Sequence, residues 1–225
     1  MTWVAGNGSG NFVSSGSTFI LGAASADKTV TFVNPIVLAT GSTVTNRTIQ
    51  VDNGSAEVDG VLAGAISHGS GASGIIKTGS GTLLLGTANA YAGGTAMTAG
   101  ELRVGGTAGS GLVTVSDGAA ISGTGSVASL TLQTGAKLKP YYVGGGIPSS
   151  LTVNGAFNIT SGTLDLSGLT NTLASGNLTL AQCGSIVGSS FASVVPGPQN
   201  RVVAIINNAV VLKDANARGT LIVLR

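Results

Sequence analysis

The chain has 225 residues, of which 43% are hydrophobic and only 8% are charged, and its formal net charge is +2. Disordered chains are poor in hydrophobic residues and rich in charge, so this composition excludes a disordered protein and predicts a substantial core. The densest basic spot is Lys137-Leu138-Lys139. It is too short for the basic patch that nucleic-acid binding requires, and we expect no nucleic-acid partner.

The first residues, MTWVAGNGSG, lack the basic segment and apolar run of a signal peptide. We expect a mature chain from which a signal peptide has been removed. The sequence contains no apolar stretch long enough to span a bilayer. Trp3 and Phe12 are predicted to cap the first turn of the fold described below.

Glycines followed by short alternating segments recur along the chain at intervals of about twenty residues. The series that we identify is Gly22, Gly41, Gly60, Gly81, Gly100, Gly118, Gly135, Gly155 and Gly176. Such a period indicates a stacked repeat architecture in which each unit buries its apolar side against its neighbours.

Segments such as LVTV, SLTL and TLDL alternate apolar and polar residues, which is typical of half-buried strands. Turn pairs containing glycine separate them. We therefore predict an all-β right-handed parallel β-helix (β-solenoid) of about ten rungs, roughly 50 Å long at the usual strand spacing. The side chains predicted to point inward are Leu83, Leu85, Leu102, Val104, Val113, Val115, Leu130, Leu132, Leu151, Val153, Leu178 and Leu180.

We expect a single domain over residues 1–225, with first rungs and a cap in 1–40, regular rungs in 41–181, and final rungs with a hairpin cap in 182–225. An antiparallel sandwich would also have short strands, and it remains open for the two ends. A β-propeller needs a period near forty residues, and no segment sustains the period of a helix.

Catalytic and metal-binding residues are sparse. Asp52, Glu57 and Asp59 are the only clustered acids, and turn and capping acids on a polar face describe them better than a weak Ca²⁺ site does. The one histidine, His68, lies beside Ser67 in a Ser/Gly-rich turn, and we predict a solvated loop residue and not the base of a catalytic triad. We predict no catalytic residue, no cofactor and no metal, since one His and one Cys cannot close a zinc site.

The loop of residues 139–150 contains two adjacent tyrosines, Tyr141 and Tyr142. Neighbouring residues on an extended loop point in opposite directions, so we single out this pair as a candidate interaction loop. The alternative is that one ring packs on the solenoid while the other covers its rim. The lone Cys183 lies in an apolar strand and is predicted to be a small core residue.

Near the C-terminus, RVVAIINNAVVL has two apolar runs around Asn207-Asn208, which predicts a hairpin cap. The final RGTLIVLR is a further apolar strand. If the end is not capped, it could pair with another copy head to tail and build a fibre.

The stretch KTGSGTLLLGTANAYAGGTAMTAGELRV resembles the passenger-associated transport repeat, also called the autotransporter-associated β-strand repeat. The positions that match that pattern are Lys77, Gly79, Gly81, Leu83, Leu85, Asn89, Tyr91, Gly93, Gly94, Thr95, Gly100 and Leu102. The resemblance implies a right-handed β-helix that is secreted or displayed at a bacterial surface, and a structural rather than catalytic role for these residues. This chain has the longer loop of residues 139–150 where the family commonly has a tight turn, and no translocator barrel is present in it.

From these patterns we expect a non-enzymatic, rigid rod that serves adhesion or self-assembly into fibres. Its partners would be copies of itself or a ligand on a host or cell surface. A phage or virion fibre or decoration protein is the first alternative, and a polysaccharide-active enzyme on the same scaffold is the second.

Overall fold

The computed structural model describes residues 16–40, 42, 44–169, 173–197 and 201–214, together with the backbone of residues 3–4. These residues form 24 strands and no helix. No helix in these ranges could therefore cross a membrane. The strands are β1 Trp3–Val4, β2 Phe19–Leu21, β3 Val30–Phe32, β4 Ile36–Val37, β5 Arg47–Val51, β6 Gly60–Leu62, β7 Ile66–Ser67, β8 Ile75–Thr78, β9 Thr82–Leu85, β10 Thr95–Met97, β11 Glu101–Val104, β12 Leu112–Val115, β13 Ala120–Gly123, β14 Ser126–Val127, β15 Ser129–Leu132, β16 Lys137–Leu138, β17 Tyr142–Gly144, β18 Ile147–Pro148, β19 Leu151–Asn158, β20 Thr163–Asp165, β21 Leu178–Val187, β22 Ser193–Val195, β23 Arg201–Ile206 and β24 Ala209–Asp214.

The strands wind into a parallel β-solenoid with three faces. The first face runs β2, β5, β8, β10, β12 and β15, and then continues through the second halves of β19 and β21. The second face runs β3, β6, β9, β11, β13, β16, β20 and β22. All neighbours within these two series are parallel, so the predicted solenoid is confirmed and the sandwich alternative is wrong for these rungs.

The third face is the least regular. It contains β1, β4 and β7, a bridge between Thr107 and Ser126, β14, and the first halves of β19 and β21. Its strands in the first rungs are so short that no alternation can be read from them. Sequence patterns therefore indicate this face much less clearly than the other two.

The number of rungs differs from the expected ten. Eight successive parallel strands occupy each of the first two faces of the described chain, which corresponds to about 34 Å between the first and last strand.

The spacing between rungs is not uniform along the chain. Register partners are about twenty residues apart from β8 to β16, which we call the repeat block (residues 75–138). In the outermost rungs the register partners are about one and a half times as far apart in the chain, as in the pairs Phe19–Ile49 and Thr163–Ser193. Long loops are inserted in these outer rungs.

Two of the glycines assigned to the repeat series are misplaced. Gly81, Gly100 and Gly135 lie just before second-face strands, but Gly155 lies within β19 and Gly176 precedes β21. The rungs near the C-terminus are longer than twenty residues. A count in steps of twenty residues therefore no longer reaches the corner before a second-face strand. Gly41 lies outside the described residues.

The interior is a single apolar cluster, and all twelve side chains predicted to point inward are buried. Two charged residues also occupy inward rows, Arg47 in β5 and Lys77 in β8. The Arg47 Nε donates to the carbonyl of Leu38 at 2.7 Å. Alternation identifies inward positions here, but it does not predict a cation in one of them.

The predicted C-terminal hairpin is present. β23 and β24 pair antiparallel around Asn207 and Asn208, which both have positive φ. β24 pairs antiparallel with the first half of β21, so the hairpin extends the third face beyond the last rung. Phe12, the side chain of Trp3 and the final strand predicted from residues 218–225 lie outside the described residues.

Candidate functional site

The corner between β8 and β9 is closed by a buried lysine. Lys77 has no exposed side-chain surface, and its Nζ donates to the carbonyls of Thr78 at 2.9 Å, Gly79 at 2.8 Å and Ala99 at 3.2 Å. An ammonium group has three donors, so these three carbonyls satisfy all of them. Because Ala99 belongs to the next rung, the lysine ties two successive corners together.

Glycines make room for this lysine. Gly79 and Gly100 have φ angles of +74° and +68°, a conformation that other residues adopt at a cost. A Cβ on Gly100 would lie 2.5 Å from the carbonyl oxygen of Gly81 and 2.8 Å from Nζ of Lys77. A side chain at this position would therefore be both strained and obstructed.

Acidic groups lie near the same corner. Asp59 is buried, and its two carboxylate oxygens accept hydrogen bonds from the backbone N–H groups of Gly54 at 2.7 Å and Thr82 at 2.8 Å. Burial lowers the pKa of Lys77 to about 8, although the charges of Asp59 and Asp52 act to raise it. Asp59 caps backbone N–H groups, as the sequence predicts, but it is buried and precedes strand β6 instead of lying in a turn on a polar face.

Asn89 takes the place of a third-face strand in its rung. Its Oδ1 accepts from the N–H of Ile66 at 2.8 Å, and its Nδ2 donates to the carbonyl of Thr107 at 2.7 Å. Its own N–H donates to Oγ1 of Thr107 at 2.7 Å. One side chain thus satisfies backbone groups in the rungs before and after its own, where no strand ladder is available.

Tyr91 fills the interior beside Asn89. Its ring is completely buried, and its hydroxyl lies 2.6 Å from Oγ1 of Thr95. Burial raises the pKa of the Tyr91 phenol. Gly109 in the next rung has a φ of +64°, and a Cβ there would lie 2.6 Å from the tyrosine ring. The ring therefore fits only because the following rung presents a glycine.

The other motif positions also lie at close contacts between rungs. Leu83, Leu85 and Leu102 belong to the core. A Cβ on Gly93 would collide with the backbone nitrogen of Gly74, and one on Gly94 would lie 2.9 Å from the carbonyl oxygen of Leu112. These contacts join the motif to the rungs on both sides.

A cluster of charged residues on the second face is not predicted from the sequence. Arg103 donates to Glu57 at 2.7 Å and to Glu101 at 3.3 Å. Glu101 also accepts from the hydroxyl of Ser122 at 2.5 Å and lies 3.5 Å from Nζ of Lys139. Burial alone would lower the pKa of Arg103, but the hydrogen bond to Glu57 and the charge of Glu101 raise it.

This cluster borders a shallow groove of about 230 Å³ whose lining includes Glu101, Lys137, Lys139 and Asp165. Lys137 pairs with Asp165 at 3.7 Å. The positive and negative side chains are balanced, so the groove gives no preference for an anion or a cation. Only winding brings these residues together, since they lie on strands that are far apart in the chain.

The tyrosine rings follow the alternative in which both lie against the solenoid. The ring of Tyr141 stacks on the guanidinium of Arg103, 4.1 Å from the ring centroid, and Tyr142 packs against the core. Both tyrosines are only partly exposed. The exposed apolar side chains of this loop are Val143 at 57% and Ile147 at 54%, on the small hairpin formed by β17 and β18. Glycines 144–146 form the turn of this hairpin, and the carbonyl of Gly146 accepts a hydrogen bond from the N–H of Ala174 at 2.9 Å. The exposed side chains beside the turn are aliphatic and not aromatic.

The remaining candidate residues have ordinary contacts. Nδ1 of His68 lies 2.8 Å from the carbonyl of Gly71. Cys183 is buried, and burial raises the pKa of its thiol to about 11. Within the described ranges, no group of three or more His, Cys, Asp or Glu residues could hold a metal ion.

Residues 75–104 match the family model of the passenger-associated-transport-repeat. All twelve positions of the predicted motif lie within this match. No curated protein matches the chain.

Proposed function

Since this chain carries a passenger-associated transport repeat at residues 75–104 within a parallel β-solenoid, we propose that it is a non-enzymatic structural protein of autotransporter-passenger type. It acts outside the cell or at the bacterial surface as a rigid rod. The observation that carries this proposal is the repeat itself, whose polar residues serve to join rungs: Lys77 and Asn89 both bond backbone groups of neighbouring rungs.

The contacts of the repeat suit a chain that folds after export. Rung partners in the repeat block are only about twenty residues apart, so each rung can fold on the previous one with little loss of loop entropy. With one cysteine, the 225 residues can form no disulfide among themselves, and the fold holds without one. Rigidity then comes from the continuous apolar interior and from corners whose carbonyls are bonded by Lys77.

The rod would act by presenting side chains at its surface for adhesion or by assembling with copies of itself. The hairpin of β17 and β18 supports the adhesive role, because Val143 and Ile147 on it are each more than half exposed. Isolated exposed apolar side chains are ordinary, but a pair on one hairpin is a suitable contact for an apolar surface.

Surface display tests the proposal directly. The chain would be fused between a secretory signal peptide and an autotransporter translocator, and intact cells would be stained for an epitope in the passenger. We expect display of a passenger whose core resists added protease. A Tyr91→Ala variant, which empties the centre of the repeat, should be displayed less or lose its protease resistance. Retention of the wild-type chain inside the cell would contradict the proposal.

Adhesion is tested on the same displaying cells. Val143→Ser with Ile147→Ser should reduce attachment to polystyrene and to an epithelial monolayer several-fold, because the apolar tip is lost. Leu112→Ser is the matched control, since Leu112 is an exposed aliphatic residue on a regular rung. Equal attachment by both variants and the wild type would remove the adhesive role of this hairpin.

A further inference from the structure

The free edges of the solenoid differ greatly in length. Within the described ranges, the end strands on the N-terminal side are β1, β2 and β3, which have two or three residues each. On the C-terminal side, β22 has three residues, whereas β23 has six. Very short end strands are a common protection against pairing with other chains, and β23 lacks it.

Among the described residues, β23 also lacks most of the other protective features. Five of its residues, Val202–Ile206, are apolar, and its pairing with β24 is regular and without a bulge. Its one charged residue, Arg201, is turned away, because its guanidinium donates to the carbonyls of Gly176 and Ala174 at 2.6 Å each. Within β23 itself, no proline or lysine guards the edge. Arg201 shares the core-facing side with Val203 and Ile205, but these two carbonyls hold its guanidinium.

The side chains on the two sides of β23 differ in burial. Val203 and Ile205 pack against the core. Val202 and Ile206, on the other face, are each 36% exposed. Another strand beside β23 would cover part of these two side chains and extend the sheet by a full ladder of backbone hydrogen bonds.

We propose that two copies of the chain associate tail to tail through antiparallel pairing of β23 with the partner's β23. The order β21, β24, β23 is already antiparallel, so an antiparallel neighbour continues the local pattern. Centred on Ala204, the pairing places Val202 opposite the second copy's Ile206 and the reverse, which gives a two-fold, self-complementary contact. The net charge of +2 offers little repulsion between copies.

This inference deepens the self-assembly arm of the proposed function and rests on it. Its product is a closed dimer with both N-terminal ends pointing outward. Two-fold pairing occupies the β23 edge of each copy, so no third copy can pair with that strand. Longer fibres would therefore need a separate contact between N-terminal ends.

The test is the native mass of the full chain, measured by light scattering over a range of concentrations. We expect twice the chain mass of 21.8 kDa. Val202→Lys with Ile206→Lys places like charges opposite each other and should weaken the dimer at least about tenfold. Val202→Lys with Ile206→Glu places opposite charges together and should restore it. Circular dichroism checks that both variants keep the wild-type fold, which their exposed positions favour.

Several results would overturn the pairing. One is a wild-type chain that is monomeric at every concentration, including the case in which hydrogen exchange shows the β23 edge protected by residues 215–225. Others are a dimer that is indifferent to the double lysine variant, or a charge-swapped variant that stays monomeric. Surface display is read independently, so a displayed monomer would refute the dimer and leave the proposed function intact.

Discussion

The repeat block and the end rungs are built from the same three-faced plan, but they hold it together differently. In residues 75–138 the rungs are about twenty residues long, and Leu112 is the one large hydrophobic residue that is prominently exposed. In the outermost rungs the register partners lie about one and a half times as far apart in the chain as in the repeat block. The large exposed apolar residues outside the repeat block, among the described residues, are Ile20, Val30, Val33, Val44, Val143, Ile147, Val187, Val194, Val202 and Ile206.

The difference shows what a short rung requires. A rung of the repeat block has no long loop in which to bury its corners, so its turns need glycines with positive φ and side chains that bond the corner carbonyls. Gly79, Gly100 and Lys77 supply these in the repeat. The end rungs reach the same stacking with longer loops, and they expose more apolar surface.

The largest expected effect is at the centre of the repeat block. Tyr91→Ala should lower the free energy of unfolding by about 4 kcal/mol, because it removes a completely buried aromatic ring. Tyr91→Phe keeps the ring and loses the contact with Thr95, so it should cost only about 1 kcal/mol. Urea denaturation measures both. Equal losses in the two variants would mean that the hydroxyl, and not the packing, is decisive.

A leucine in the block and a valine at the end sharpen the comparison. Leu102→Ala should cost about 3 kcal/mol, since Leu102 is fully buried between two rungs. Val194 occupies an inward row in the last second-face strand, but it is 42% exposed, and Val194→Ala should cost less than about 1 kcal/mol. If thermal or urea unfolding gave the same loss for both, the end rung would be as well covered as the centre.

Two corner glycines separate backbone strain from crowding. Gly100 and Gly118 have φ angles of +68° and +73°, but a Cβ on Gly118 would meet nothing within 4 Å. Gly118→Ala should therefore cost about 1 kcal/mol, from the left-handed backbone alone. Gly100→Ala should cost about 2 kcal/mol more, because the Cβ collides with carbonyl oxygens. Comparable urea midpoints for the two variants would show that the Lys77 corner can relax.

The stability of the chain should also depend on pH through Lys77. The pKa of Lys77 is about 8 in the folded chain and 10.5 in the ordinary, unfolded environment, so the unfolded chain holds more protons between these values. Stability should then rise with pH from about 8 towards 10.5. The raised pKa of Tyr91 acts in the opposite direction above about 10, so the window to examine is about pH 8 to 9.5. Subtracting the stability–pH profile of the Lys77→Met variant from that of the wild type isolates the contribution of the lysine. A wild-type profile parallel to that of Lys77→Met would rule out titration of this amine.

Sequence patterns predict the fold where local alternation controls it. The inward positions from Leu83 to Leu180 are identified correctly because each strand shows its own period of two. The described residues hold eight rungs where about ten are expected, because loops such as residues 139–150 lengthen the rungs outside the repeat block.

The contacts between rungs could not be predicted in the same way. Tyr141 stacks on Arg103, which lies two rungs earlier in the winding, so the tyrosine pair alone gave no sign of this contact. The hydrogen bonds of Lys77 and Asn89 likewise cross between rungs. A single sequence shows these residues, but not the carbonyls and N–H groups that they meet.

Residue-resolved amide hydrogen exchange of the full chain tests the central claim most directly, namely that the repeat block is the stable core of the rod. We predict that the amides of β8 to β13 exchange most slowly, by global unfolding, and that those of β2, β3 and β22 exchange through smaller local openings. Uniform protection along the solenoid, or slower exchange in the end rungs than in residues 75–138, would contradict this account.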